Sequence, residues 1–128
     1  MYSEQVLDHF QNPRHVGDLE NATVTVEVQN PVCGDVLRLS LRVEDGRIAD
    51  VCFRAKGCVP AIACASKLAE LLPGRRTNNP EITREIIIRE LGGLPEASQH
   101  AGQLAIDALE LALSRCKDGA LQPPAPSR

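Results

Sequence analysis

The chain has 128 residues, with 14 Lys plus Arg against 17 Asp plus Glu and a formal net charge of −3. That length fits one domain with its own hydrophobic core, and the mild acidity leaves no basic stripe for nucleic acid. No apolar run approaches the roughly 20 residues a membrane helix needs, and Met1-Tyr2-Ser3-Glu4-Gln5 lacks the charged-then-apolar opening of a signal peptide, so a cytoplasmic protein with no membrane partner is expected.

In chain order, the first element is a short helix. Ser3 suits its N-cap, Tyr2, Val6 and Phe10 recur at a spacing of four, and Asn12-Pro13 ends it. Three strands follow. Ala22, Val24, Val26 and Val28 form one apolar face; Leu37, Leu39, Leu41 and Val43 a second; Ala49, Val51, Phe53 and Ala55 a third, with Ile48, Asp50, Cys52 and Arg54 opposite. Each strand therefore has one covered and one wet face. Asp45-Gly46 is a hairpin signal between the last two. Beyond residue 58 the period becomes helical. Ala61, Ala65, Leu68 and Leu72 share a stripe behind Pro60, and Pro73-Gly74 stops that helix. Asn79-Pro80 caps the next, which carries Ile82, Ile86 and Ile87 and stops at Gly92-Gly93. Pro95 opens a long last helix to Cys116, with Leu104, Ala108 and Leu111 aligned. The expected fold is α+β: a three-stranded antiparallel sheet with helices on one face, a short N-terminal helix and a long C-terminal one. One domain spans 1–116, and the Pro-rich residues 117–128 read as a disordered tail.

The five cysteines, at 33, 52, 58, 64 and 116, cannot all pair within one chain. Without a secretory signal, metal or redox chemistry is favoured over a disulfide framework. Cys33-Gly34-Asp35 sits at the turn between strands one and two, and Gly57-Cys58 at the passage from strand three to a helix. The hairpin brings these two corners together. A thiol at a helix mouth is expected to have a lowered pKa. His100, near the start of the last helix, is a candidate fourth donor. Cys33, Asp35, Cys58 and His100 would make an S, S, O, N set suited to tetrahedral zinc. Cys64 borders an apolar helix stripe and reads as a core thiol, yet at about 6 Å up the helix axis from Pro60 it could still reach a site at the helix mouth. Cys52 belongs to the wetter sheet face, and Cys116, sixteen residues beyond His100, is out of reach.

Tyr2-Ser3-Glu4, Val6-Leu7-Asp8-His9-Phe10, Asn12-Pro13-Arg14, Asn30-Pro31-Val32-Cys33-Gly34-Asp35, Lys56-Gly57-Cys58, Ala61-Ile62-Ala63 and Leu94-Pro95…His100 together resemble the U-type iron–sulfur cluster assembly scaffolds, the IscU and NifU N-terminal family, from Met1 to about Leu113. The resemblance implies that the chain is no enzyme. It implies a scaffold or carrier that receives sulfur from a cysteine desulfurase, combines it with iron, and passes a [2Fe–2S] cluster to recipient proteins, with zinc as an alternative occupant. It implies ligand roles for Cys33, Asp35, Cys58 and His100.

The chain departs from the family pattern at several positions. Ala101 stands where the family has the cysteine that serves as ligand and sulfur acceptor. Glu96-Ala97-Ser98 replaces part of the segment a dedicated chaperone recognises, which counts against chaperone-assisted transfer. Cys64 stands in a usual serine run, Cys52 where Lys is common and Val59 where Gly is usual. Two thiolates are few for a cluster that generally takes four. Either Cys64 supplies the missing thiol, or two copies share a cluster in a homo-oligomer, or the chain is a zinc-holding accessory that docks on a desulfurase. A zinc-assisted persulfide acceptor is the remaining alternative.

Overall fold

A computed structural model describes residues 2–119. Three strands, β1 (Val24–Gln29), β2 (Val36–Glu44) and β3 (Arg47–Lys56), form an antiparallel sheet in the order β1-β2-β3. Before them lies α1 (Glu4–Gln11); after them come α2 (Val59–Leu71), α3 (Arg84–Glu90) and α4 (His100–Gly119). The fold is α+β, as the alternation and the later change of period imply. Val26, Leu37, Leu39, Leu41, Val51 and Phe53 bury the covered sheet face. Against it α4 packs on β1 and β2, and α2 on β3. Backbone of residues 15–17 runs along β3: Phe53 N–H donates to the His15 carbonyl at 2.9 Å, and Gly17 N–H to that of Phe53 at 2.9 Å.

The structure corrects several sequence expectations. In β3, Ile48 is buried and Ala49 exposed, the reverse of simple alternation. The ladder slips between Arg42 and Val43: Arg42 faces Asp50 and Val43 faces Ile48, so Ala49 bulges out and Ile48 turns inward. In α1 the inward residues are Val6 and His9, while Phe10 is exposed. The imidazole turns in because Ser66 of α2 awaits it, with His9 Nδ1 2.7 Å from Ser66 Oγ. The cap of α3 is Thr83, whose hydroxyl accepts the Ile86 N–H; Asn79-Pro80 precedes the helix, and Ile82 packs in the core from outside it. Pro95 opens only a single 3₁₀ turn over Glu96–Ser98, and α4 begins at His100. The helix continues past Cys116 to Gly119, and the rest of the anticipated tail lies outside the described residues. Among the described residues, no helix is long and apolar enough to cross a membrane.

Candidate metal centre

The β1–β2 connection is closed tightly. Asn30 N–H donates to the Asp35 carbonyl and Gly34 N–H to the Asn30 carbonyl, both at 2.8 Å, while Asn30 Oδ1 accepts from Val32 N–H at 2.9 Å. Gly34 has φ +80°, a conformation that glycine enters without steric cost. The turn holds Cys33 in solvent and lays Asp35, 6% exposed, against the protein. Across the sheet end, β3 runs into α2 with Cys58 at the N-cap position and Pro60 in the first turn. Cys58 makes no side-chain cap bond. Its thiol instead donates to Asp35 Oδ2 at 3.1 Å.

His100, the first residue of α4, completes the group. Donor atoms of Cys33, Asp35 and His100 all lie within 4.8 Å of one another. Cys58 stands beside this triad and joins it through Asp35. His100 Nδ1 is 3.1 Å from the Ala97 carbonyl. A carbonyl only accepts, so Nδ1 carries the proton and Nε2 keeps its lone pair for a ligand. A backbone carbonyl holding the second ring nitrogen is the usual support of a metal-binding imidazole.

The set fits an ion. Zinc bonds of about 2.0–2.3 Å in a tetrahedron place donors roughly 3.3–3.8 Å apart. The Cys33, Asp35 and His100 donors, within 4.8 Å of one another, stand near that spacing, and Cys33 and His100 are exposed. Two sulfurs, one oxygen and one nitrogen suit zinc or iron.

The pKa directions differ from the expectation for a helix mouth. Partial burial pushes the Cys58 thiol up, and donation to Asp35 pushes it further. Without an ion the proton therefore stays on sulfur, and an ion must displace it. Cys64 is fully buried, and burial pushes its pKa up to about 12, with Cys58 adding a smaller effect. It faces the core, so it is no exposed replacement for the thiol absent at Ala101. That position is itself buried and offers no donor. Cys52 is half-buried opposite Ser40, and Cys116 is buried far along α4. Sequence reasoning passed over Gly57 as a participant and placed no weight on His9, which the structure buries against Ser66.

The profile of the NifU-like N terminal domain family matches residues 1–120. The chain belongs to that family. An iron–sulfur cluster assembly scaffold protein IscU of Archaeoglobus fulgidus is 45% identical over 114 residues, covering 88% of this chain and 74% of that protein. The scaffold protein IscU of Buchnera aphidicola subsp. Schizaphis graminum is 39% identical over 120 residues, covering 91% and 94%. The N-terminal part of a nitrogen-fixing NifU-like protein from Brucella abortus has the same fold. Its TM-score is 0.75 at 19% identity, covering 91% of this chain and 94% of that one.

Proposed function

We propose that this member of the family is an iron–sulfur cluster assembly scaffold that carries out no turnover of its own. Iron and sulfide, or an assembled [2Fe–2S] cluster, are its cargo, held by Cys33, Asp35, Cys58 and His100. The observation that carries the reading is the convergence of Cys33, Asp35 and His100 donors within 4.8 Å of one another, with the Cys58 thiol on the same carboxylate. Relatives named as scaffold proteins support it. A cysteine desulfurase would supply the sulfur and recipient apoproteins would take the cluster. Anaerobic reconstitution with ferrous iron, cysteine and a desulfurase should give a visible cluster spectrum and bound sulfide, both lost in Cys58→Ala. A colourless product without sulfide overturns the cluster reading.

A second reading has one observation in its favour. Only two thiols stand at the site, because Cys64 is in the core and Ala101 has no donor. A thiolate-poor set suits a single zinc better than a cluster. In this reading the chain is a zinc-holding accessory that docks on a desulfurase. Anaerobically prepared, untagged protein would then contain about one zinc per chain and no sulfide.

A further inference from the structure

The last rung of the β2–β3 ladder pairs Val36 with Lys56. Extending that register by one residue sets Asp35 opposite Gly57. Directly opposed residues in an antiparallel pair hold their Cβ atoms about 4.5–5.5 Å apart, and their side chains normally stand side by side. Here the Asp35 carboxyl instead leans across the place where a residue-57 side chain would stand. A Cβ built on Gly57 lies 2.6 Å from both Cγ and Oδ1 of Asp35, and 3.0 Å from its Cβ. Real Cβ atoms essentially never approach that closely.

Neither backbone has room to retreat. Asp35 is tied by its carbonyl to Asn30 N–H and is followed at once by the paired Val36. Gly57 is fixed between the paired Lys56 and the N-cap of α2. The group that must yield is the carboxyl, and yielding breaks its contact with Cys58 and moves it out of the triad.

We propose that Gly57 is a positioning residue: its missing side chain is the space that holds the Asp35 carboxylate between the Cys58 thiol and the Cys33 and His100 donors. The proposal rests on the reading of Asp35 as a ligand. Orienting neighbours of metal ligands typically change affinity by about 10–100-fold. The effect of residue 57 should pass entirely through Asp35.

The test is a double-mutant cycle. Cobalt(II) is titrated into reduced, metal-free wild type, Gly57→Ala, Asp35→Ala and the double variant, reading affinity and ligand-field spectrum. Gly57→Ala should bind about 10–100-fold more weakly, with bands shifted toward those of Asp35→Ala. In the Asp35→Ala background the same substitution should change affinity less than about twofold. An equal loss in both backgrounds, or wild-type binding by Gly57→Ala, overturns the proposal. If Gly57→Ala does not fold, Gly57→Ala combined with Asp35→Gly, which also removes the Asp35 Cβ lying 3.0 Å away, should recover the native circular dichroism, and failure to recover it overturns the proposal. Wild-type cobalt binding by Asp35→Ala instead overturns the ligand reading itself, so the two failures are distinguishable.

Discussion

Cys58 and Cys64 lie six residues apart on one helical segment, yet the fold gives them different chemistry. Cys58 stands at the helix mouth with its thiol on a carboxylate, and Cys64 is fully buried in the hydrophobic core. Iodoacetamide at mildly alkaline pH should label Cys33 and Cys58 of the metal-free protein and spare Cys64 until denaturant is added. Peptide mass analysis reads the difference, and early labelling of Cys64 would contradict its burial. Much of this site was legible at residue level. Gly34 between Cys33 and Asp35 marks a bend, and a hairpin returning to Cys58 brings two corners together. The direction of the Cys58 pKa was not legible. It depends first on burial of the thiol and then on a carboxylate 23 positions earlier in the chain, whose location is fixed by an absent side chain at Gly57. A motif shows that glycine is present; it does not show what fills the space.

The joint between α1 and α2 depends on a buried polar cluster. Ser66 Oγ accepts the Arg14 N–H at 2.9 Å and stands 2.7 Å from His9 Nδ1, while His9 Nε2 lies 3.6 Å from Glu70. Around the ring are Arg14 and Asp8 on the N-terminal side and Lys67 and Glu70 on α2. Burial lowers the His9 pKa below its ordinary 6.5, and the Arg14 and Lys67 charges lower it further. An unfolded His9 protonates near 6.5 and the folded one only at lower pH. Between those values the unfolded chain binds the extra proton, so this contribution is complete above 6.5 and lost as pH falls. Glu70, held below its ordinary value by the Lys67 hydrogen bond, loses its contribution in the same direction at lower pH. The thermal midpoint should therefore drop from pH 7.5 to 5.5, and drop less in His9→Gln. A separate substitution, Ser66→Ala, strands the partly buried Arg14 N–H and the buried imidazole. Denaturant unfolding should show a cost of about 1–3 kcal/mol.

Strand and helix periods transmitted the elements well, because the inward residues Val24, Val26 and Val28 of β1 and Leu37, Leu39 and Leu41 of β2 alternate, and Ala and Leu side chains of α2 and α4 recur at helical spacing in the core. They failed where one local contact outweighed the period. The bulge at Ala49 reversed Ile48, the Thr83 hydroxyl moved the start of α3, and the Ser66 hydroxyl drew His9 inward in place of Phe10.

At the scale of the molecule, the four candidate donors come from the β1–β2 turn, the start of α2 and the start of α4. An ion there cross-links segments distant in sequence, and binding only the folded form stabilises it by mass action. Zinc at about 100 times its dissociation constant should raise the thermal midpoint by on the order of 10 °C. A chelator should reverse the rise. Cys33→Ser should reduce it, and an unchanged midpoint in zinc would argue against the site.

The closed turn from Asn30 to Asp35 has a further consequence. Its own backbone hydrogen bonds fix its shape, and Cys33 projects from it into solvent while the aliphatic core lies behind the sheet. Departure of a bound ion or cluster would therefore require side-chain rotation at the rim and no opening of the interior. On the proposed reading, an incoming donor would exchange ligands one at a time at that rim. Exchange there would begin at the exposed Cys33 and His100, with the buried Asp35 the last donor to be reached.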